Sequence, residues 1–116
     1  MLAADRYAQI EAMYEDIVHK ISLLEIDDET LKLILYFNDG SNVRVTEQWE
    51  GERLKRYSYY WLTAENELKI GWDNAPHHKQ IDTFPHHKHV AGQKNIRFSK
   101  ETCLEEVIMF IIKKDT

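Results

Sequence analysis

Five of the chain's six histidines fall between His77 and His89, and four of them form two proline-led pairs, Ala75-Pro76-His77-His78 and Phe84-Pro85-His86-His87. Asp73 and Asn74 stand just ahead of the first unit, and Lys88 and His89 close the second. Imidazole titrates near neutrality, so two of them together can serve as general base and general acid, while a lysine stabilises charge growing on a phosphorane-like transition state. Those are the needs of metal-independent RNA cleavage. One group removes the 2′-hydroxyl proton, another protonates the departing 5′-oxygen, and cations hold the phosphate. On that reading His86, His87 or His89 supplies the base and the acid, Lys88 steadies the phosphate, and His77 and His78 complete the pocket. Asp73 and Asn74 orient the imidazoles or hold the loop, and no cofactor is needed. The same side chains allow a different class of protein, a non-enzymatic module holding a transition metal such as zinc or nickel, or a partner. Neighbouring residues on a strand point to opposite faces, so His87 and His89 make a better ligand pair than His86 and His87, with His78 and Asp73 as further ligands. The plain structural reading is that these histidines cap turns and satisfy loop backbone.

The net charge of −5 argues against broad attraction to nucleic acid. Its distribution is uneven. Residues 1–30 set Arg6 and Lys20 against eight carboxylates, whereas residues 77–100 set Lys79, Lys88, Lys94, Arg97 and Lys100 against Asp82 alone. A local excess of about +4 therefore coincides with the histidines, and Lys79, Lys94 and Arg97 become candidate contacts for an RNA backbone. A second candidate surface is the row Arg53, Lys55, Tyr57, Tyr59 and Trp61, which share one face of an expected strand. Such a row can stack bases between cations that track phosphate, or it can pack beneath helices as core.

These side chains need a scaffold, and hydrophobic spacing outlines one. Tyr7, Ile10, Met13, Tyr14, Ile17, Val18 and Ile21 recur at helical intervals, which predicts an amphipathic first helix from Asp5 to Ile21. The period then becomes two. Leu31 to Phe37 and Val43 to Trp49 flank Asn38-Asp39-Gly40-Ser41, a hairpin signal; a third strand spans about Arg53 to Leu62 and a fourth Leu68 to Trp72. The stretch holding Pro76, Pro85 and Gly92 lacks periodicity and exceeds the roughly 12 to 15 residues of an idle loop. Ile96 to Phe98 adds a short strand, and Ser99 can cap a final helix with Glu101 in its first turn and Lys113 and Lys114 in its last. The expected fold is α+β, an antiparallel meander of four to five strands with the N-terminal and C-terminal helices on one face. At 116 residues the chain is expected to be a single domain, 1–116. The lone Cys103 can form no internal disulfide, and the most apolar run, Val107 to Ile112, is far below the roughly 18 to 20 residues of a membrane span. With no signal-peptide pattern at the N-terminus, a cytoplasmic protein without membrane attachment is expected. Cys103 reads as a small core or boundary residue and His19 as an ordinary surface one.

The run Asp73-Asn74-Ala75-Pro76-His77-His78, followed by Thr83-Phe84-Pro85-His86-His87-Lys88-His89, resembles the signature of the TumE family of prokaryotic toxin-antitoxin proteins. Length, an N-terminal helix, central strands and the tyrosines at Tyr57 and Tyr59 agree with it, while Ile70-Gly71-Trp72 and Tyr60-Trp61 depart from the pattern. The resemblance implies a toxin encoded beside an antitoxin that carries a helix-turn-helix DNA-binding domain, and a ribonuclease-like activity on RNA. A homo-oligomer is compatible with the sequence.

Overall fold

The computed structural model describes residues 1–76 and 83–114. Helix α1 (Ala3–Tyr14) leads into strands β1 (Lys20–Ile26), β2 (Thr30–Tyr36), β3 (Asn42–Glu50), β4 (Arg53–Leu62), β5 (Leu68–Asp73), β6 (His87–Val90) and β7 (Ile96–Phe98), and helix α2 (Leu104–Lys114) ends the chain's described part. Each strand pairs antiparallel with the next, so the order in the sheet is the order in the chain. The α+β class is as expected. The strand count is not: among the described residues there are seven strands rather than four to five.

The two additional strands have physical reasons for being hidden. Helix α1 stops at Tyr14 instead of running to Ile21, its end closed by Ile17 and Val18 N–H groups that both donate to the Tyr14 carbonyl at 2.9 and 3.0 Å. Ile17 and Val18 are β-branched and lose side-chain freedom in a helix. The following segment pairs with β2, Ile21 opposite Leu35 and Leu23 opposite Leu33, before a register shift at Leu24. That bulge residue is 61% exposed and breaks the period-two pattern, so Ile21, Leu23, Leu24 and Ile26 do not read as a strand. Strand β6 is hidden differently. Its buried positions are His87 and His89, which a hydrophobic pattern does not count.

One face of the sheet carries the core. The cross-strand rows Leu33, Val45, Tyr59 and Trp72, and Leu35, Val43, Trp61 and Ile70, lie on that face. They meet Ala3, Ile10 and Tyr14 of α1 and Leu104, Val107, Ile108 and Ile111 of α2, so both helices cover the same side. Tyr57, Tyr59 and Trp61 belong to this face, at 2, 0 and 2% exposed. They form the core rather than a stacking platform for bases, which corrects that expectation. Each such ring removes about 150–250 Å² from water, a gain that outweighs leaving it open for a ligand.

A buried ionic cluster fastens α1 across this face. Arg6 donates from Nε and Nη2 to Glu47 at 2.8 and 3.0 Å, and from Nη1 and Nη2 to Glu105 of α2 at 2.8 and 3.0 Å. The fully buried Glu47 also accepts from the Tyr59 hydroxyl at 2.6 Å and from Trp49 Nε1 at 3.0 Å. Burial alone would lower the Arg6 pKa, but the two carboxylates outweigh it and raise it further. At the other end of the core, Ser99 does not cap α2. Its hydroxyl donates to the Glu101 carbonyl at 2.7 Å, and the helix begins five residues later, with Glu105 and Glu106 in its first turn and Lys113 and Lys114 in its last. No helix among the described residues is long and apolar enough to cross a membrane.

Candidate functional site on the open face

The face away from the helices gathers the chemistry. Strand pairing sets Ser58 opposite Asp73 and Asp73 opposite His87, and in the next row sets Tyr60 opposite Gly71 and Gly71 opposite His89. Side chains in such rows share a face, so Asp73 stands between two imidazoles. Its Oδ1 lies 2.9 Å from His87 Nε2 and its Oδ2 3.3 Å from His89 Nε2, while Oδ1 also accepts the Ala75 N–H at 3.0 Å. On their other edges the rings are tied to backbone: His87 Nδ1 to the Pro85 carbonyl at 3.0 Å and His89 Nδ1 to the Gln93 carbonyl at 2.7 Å. A carbonyl can only accept, so both Nδ1 atoms carry the hydrogen and both Nε2 atoms are aimed at the carboxylate. The rings are 5.0 Å apart and nearly perpendicular.

These three buried residues line the floor of a cleft of about 410 Å³, whose walls include Arg56, Ser58, Tyr60 and Gln93. Gly71 makes room for one wall. A Cβ there would lie 2.5 Å from the Tyr60 ring, so the ring leans across the glycine in the row that ends at His89. Burial and the charge of Asp73 push the Tyr60 phenol up from its usual value, partly offset by its hydrogen bond with Gln93. The neutral hydroxyl is thus a donor at neutral pH. The cluster can move protons between its nitrogens and a bound group, or hold a cation, since its three ligand atoms lie within 4.8 Å of one another.

The other candidates are distributed more widely than their proximity in sequence implies. Lys88 points to the helix side, where its Nζ lies 3.3 Å from Glu101 and above the Phe110 ring, so it is on the opposite face from His87 and His89. Its expected place beside them on a phosphate is corrected by the alternation of the strand. His86 also turns to the Tyr57 side. The Tyr57 hydroxyl and His86 Nδ1 are 2.9 Å apart and the rings are stacked. Burial, with the Asp73 charge, pushes the Tyr57 phenol up, and burial pushes His86 down; both groups are neutral at pH 7 and the phenol donates. Asn74 clamps β4, accepting the Tyr57 N–H at 2.8 Å and donating to the Lys55 carbonyl at 3.1 Å. Arg53 and Lys55 are paired with Glu50, at 2.9 and 3.6 Å. Lys94 is exposed in the β6–β7 connection, and Arg97 is exposed on β7 opposite Lys88. His77, His78 and Lys79 lie outside the described residues. Cys103 is half-buried and burial pushes its thiol up, away from thiolate chemistry.

Sequence reasoning missed Arg56, Ser58, Tyr60 and Gln93. The signal was available in β4: once Tyr57, Tyr59 and Trp61 are core, alternation places Arg56, Ser58 and Tyr60 on the other face. Phe98 was missed as well. It stands opposite His87 on the same face and is 55% exposed.

A family model described as Toxin TumE matches residues 7–114. No curated protein and no solved structure matches the chain.

Proposed function

Since the chain belongs to the TumE toxin family, which implies an antitoxin partner, we propose that it is a toxin that cleaves RNA in the open-face cleft. The observation that carries this reading is the convergence of two imidazoles on one carboxylate at the floor of a solvent-open cleft. RNA supplies its own nucleophile. One imidazole takes the 2′-hydroxyl proton as that oxygen attacks phosphorus, and the other protonates O5′ as the P–O5′ bond breaks, leaving a cyclic phosphate and a free 5′-hydroxyl. Asp73 holds the two rings in register and balances the charge that passes between them. Arg56, exposed on the cleft wall, is placed to hold a phosphate, and the exposed Phe98 ring offers a base a surface to stack on. The antitoxin is expected to carry a helix-turn-helix domain, as the sequence resemblance implies.

The test is the double variant His87→Ala/His89→Ala assayed on RNA in the presence of chelator. Loss of at least a hundredfold in cleavage, together with loss of growth arrest and an unchanged far-UV circular dichroism spectrum, is the expected result. Undiminished cleavage by the folded double variant would refute the assignment.

A further inference from the structure

The orientation of the two imidazoles brings three donor groups to one point. With Nδ1–H directed at the Pro85 and Gln93 carbonyls, Nε2 of each ring is aimed at an oxygen of Asp73, 2.9 and 3.3 Å away. Two ring nitrogens and a carboxylate that converge on one point, with the outer ring edges held by backbone, form a donor set for a single cation.

We infer that Asp73, His87 and His89 form a binding site for a single divalent transition-metal ion of the zinc class, and that an ion held there blocks proton transfer by the two imidazoles. The dimensions suit this. Ligand atoms about 2.0–2.1 Å from a tetrahedral zinc are about 3.3 Å from one another. The carboxylate oxygens and ring nitrogens already stand at 2.9 and 3.3 Å, with all three ligand atoms inside 4.8 Å. The donor set of two imidazole nitrogens and one carboxylate excludes magnesium and calcium, which take oxygen ligands, and leaves the fourth position facing the cleft. The backbone carbonyls on Nδ1 are the outer hydrogen bonds that metal-bound histidines require to fix ring and tautomer. His19 and His86 do not share the arrangement, since His86 turns to Tyr57.

The blocking effect rests on the proton-transfer reading proposed above; the binding site does not. A nitrogen that donates its lone pair to a metal cannot accept a proton, so occupancy and acid–base catalysis exclude each other.

Titration of tag-free, chelator-stripped protein with zinc chloride by calorimetry is expected to give one ion per chain. In long-range proton–nitrogen spectra of the wild-type protein, Nε2 of His87 and His89 should shift on zinc addition while their Nδ1 atoms keep their protons. His87→Ala and His89→Ala should each weaken binding at least tenfold, whereas His19→Ala and His86→Ala leave it unchanged. RNA cleavage should run in chelator, fall at least tenfold at saturating zinc, and return when chelator is restored. Absence of stoichiometric binding to the wild-type chain, or binding retained by the double variant, overturns the site even if RNA is cleaved. Stoichiometric zinc with cleavage that needs it overturns the block and the proton-transfer reading together, and leaves the site standing.

Discussion

At the scale of single residues, the open face depends on one absent side chain. Gly71 lies between Tyr60 and His89 in a cross-strand row, and the space a Cβ would fill is held by the Tyr60 ring. Gly71→Ala therefore forces the ring off the glycine and opens that wall of the cleft. A loss of about 1–3 kcal/mol is expected, as for other overpacked positions, and urea unfolding reads it. Adding Tyr60→Ala should recover part of the loss caused by the alanine, because the clash is with that ring. An unchanged midpoint in Gly71→Ala would show that the ring does not occupy the space. The requirement here is room, since Gly71 lacks the positive φ that marks Gly40 and Gly51.

At the scale of elements, helix α1 is anchored by charge as much as by apolar contact. Arg6 bridges the fully buried Glu47 on β3 and Glu105 on α2, so a single guanidinium joins both helices to the sheet. Arg6→Ala leaves Glu47 buried without its cation, and a loss of about 3–5 kcal/mol in unfolding free energy is expected by denaturant titration. A loss below ~1 kcal/mol would contradict the anchor. This element was only half legible in the sequence. The helical spacing of Tyr7, Ile10 and Tyr14 located α1, but the arginine just ahead of them reads as surface until its two carboxylates, 41 and 99 residues away, are known. The same limit applies at the site. The Pro-His-His units drew attention to the segment that holds His87 and His89, and the period of two separated those residues from His86. What sequence could not supply was the pairing of β6 with β5, because its buried positions are polar and its hydrogen-bonded partner lies on the far side of a long connection. Lys88 could be placed opposite its neighbours only after that strand was recognised.

For the whole molecule, a sheet whose order is the chain's order carries the sequence's charge gradient into space. The acidic segment through residues 25–29 lies with β1 and β2 at one edge, and Lys88, Lys94 and Arg97 lie with β6 and β7 at the other. Several carboxylates are also held below their usual pKa. For Glu105, burial acts upward but the hydrogen bond and charge of Arg6 prevail; hydrogen bonds from Thr102 lower Glu106, those from Ser41 lower Asp39, and Arg53 lowers Glu50. Groups whose pKa is depressed on folding stabilise fully above the unfolded value, about 4 to 4.5, and lose that contribution as pH falls through the folded value. The melting temperature should accordingly decline slightly as pH falls below about 6.5, where the depressed His86 favours the unfolded chain, and drop most steeply below pH 4. A melting temperature that is the same at pH 3 and pH 7 would contradict this. The sheet itself acts as a partition. Behind it lie the ion pairs and rings that keep the chain folded, and in front of it the groups proposed to react, with Lys88 and His89 on opposite sides. Under the proposed function, two adjacent codons in β6 belong to separate genetic classes: a lesion in the first is expected to lower the amount of folded toxin, and a lesion in the second to disarm toxin that is still abundant.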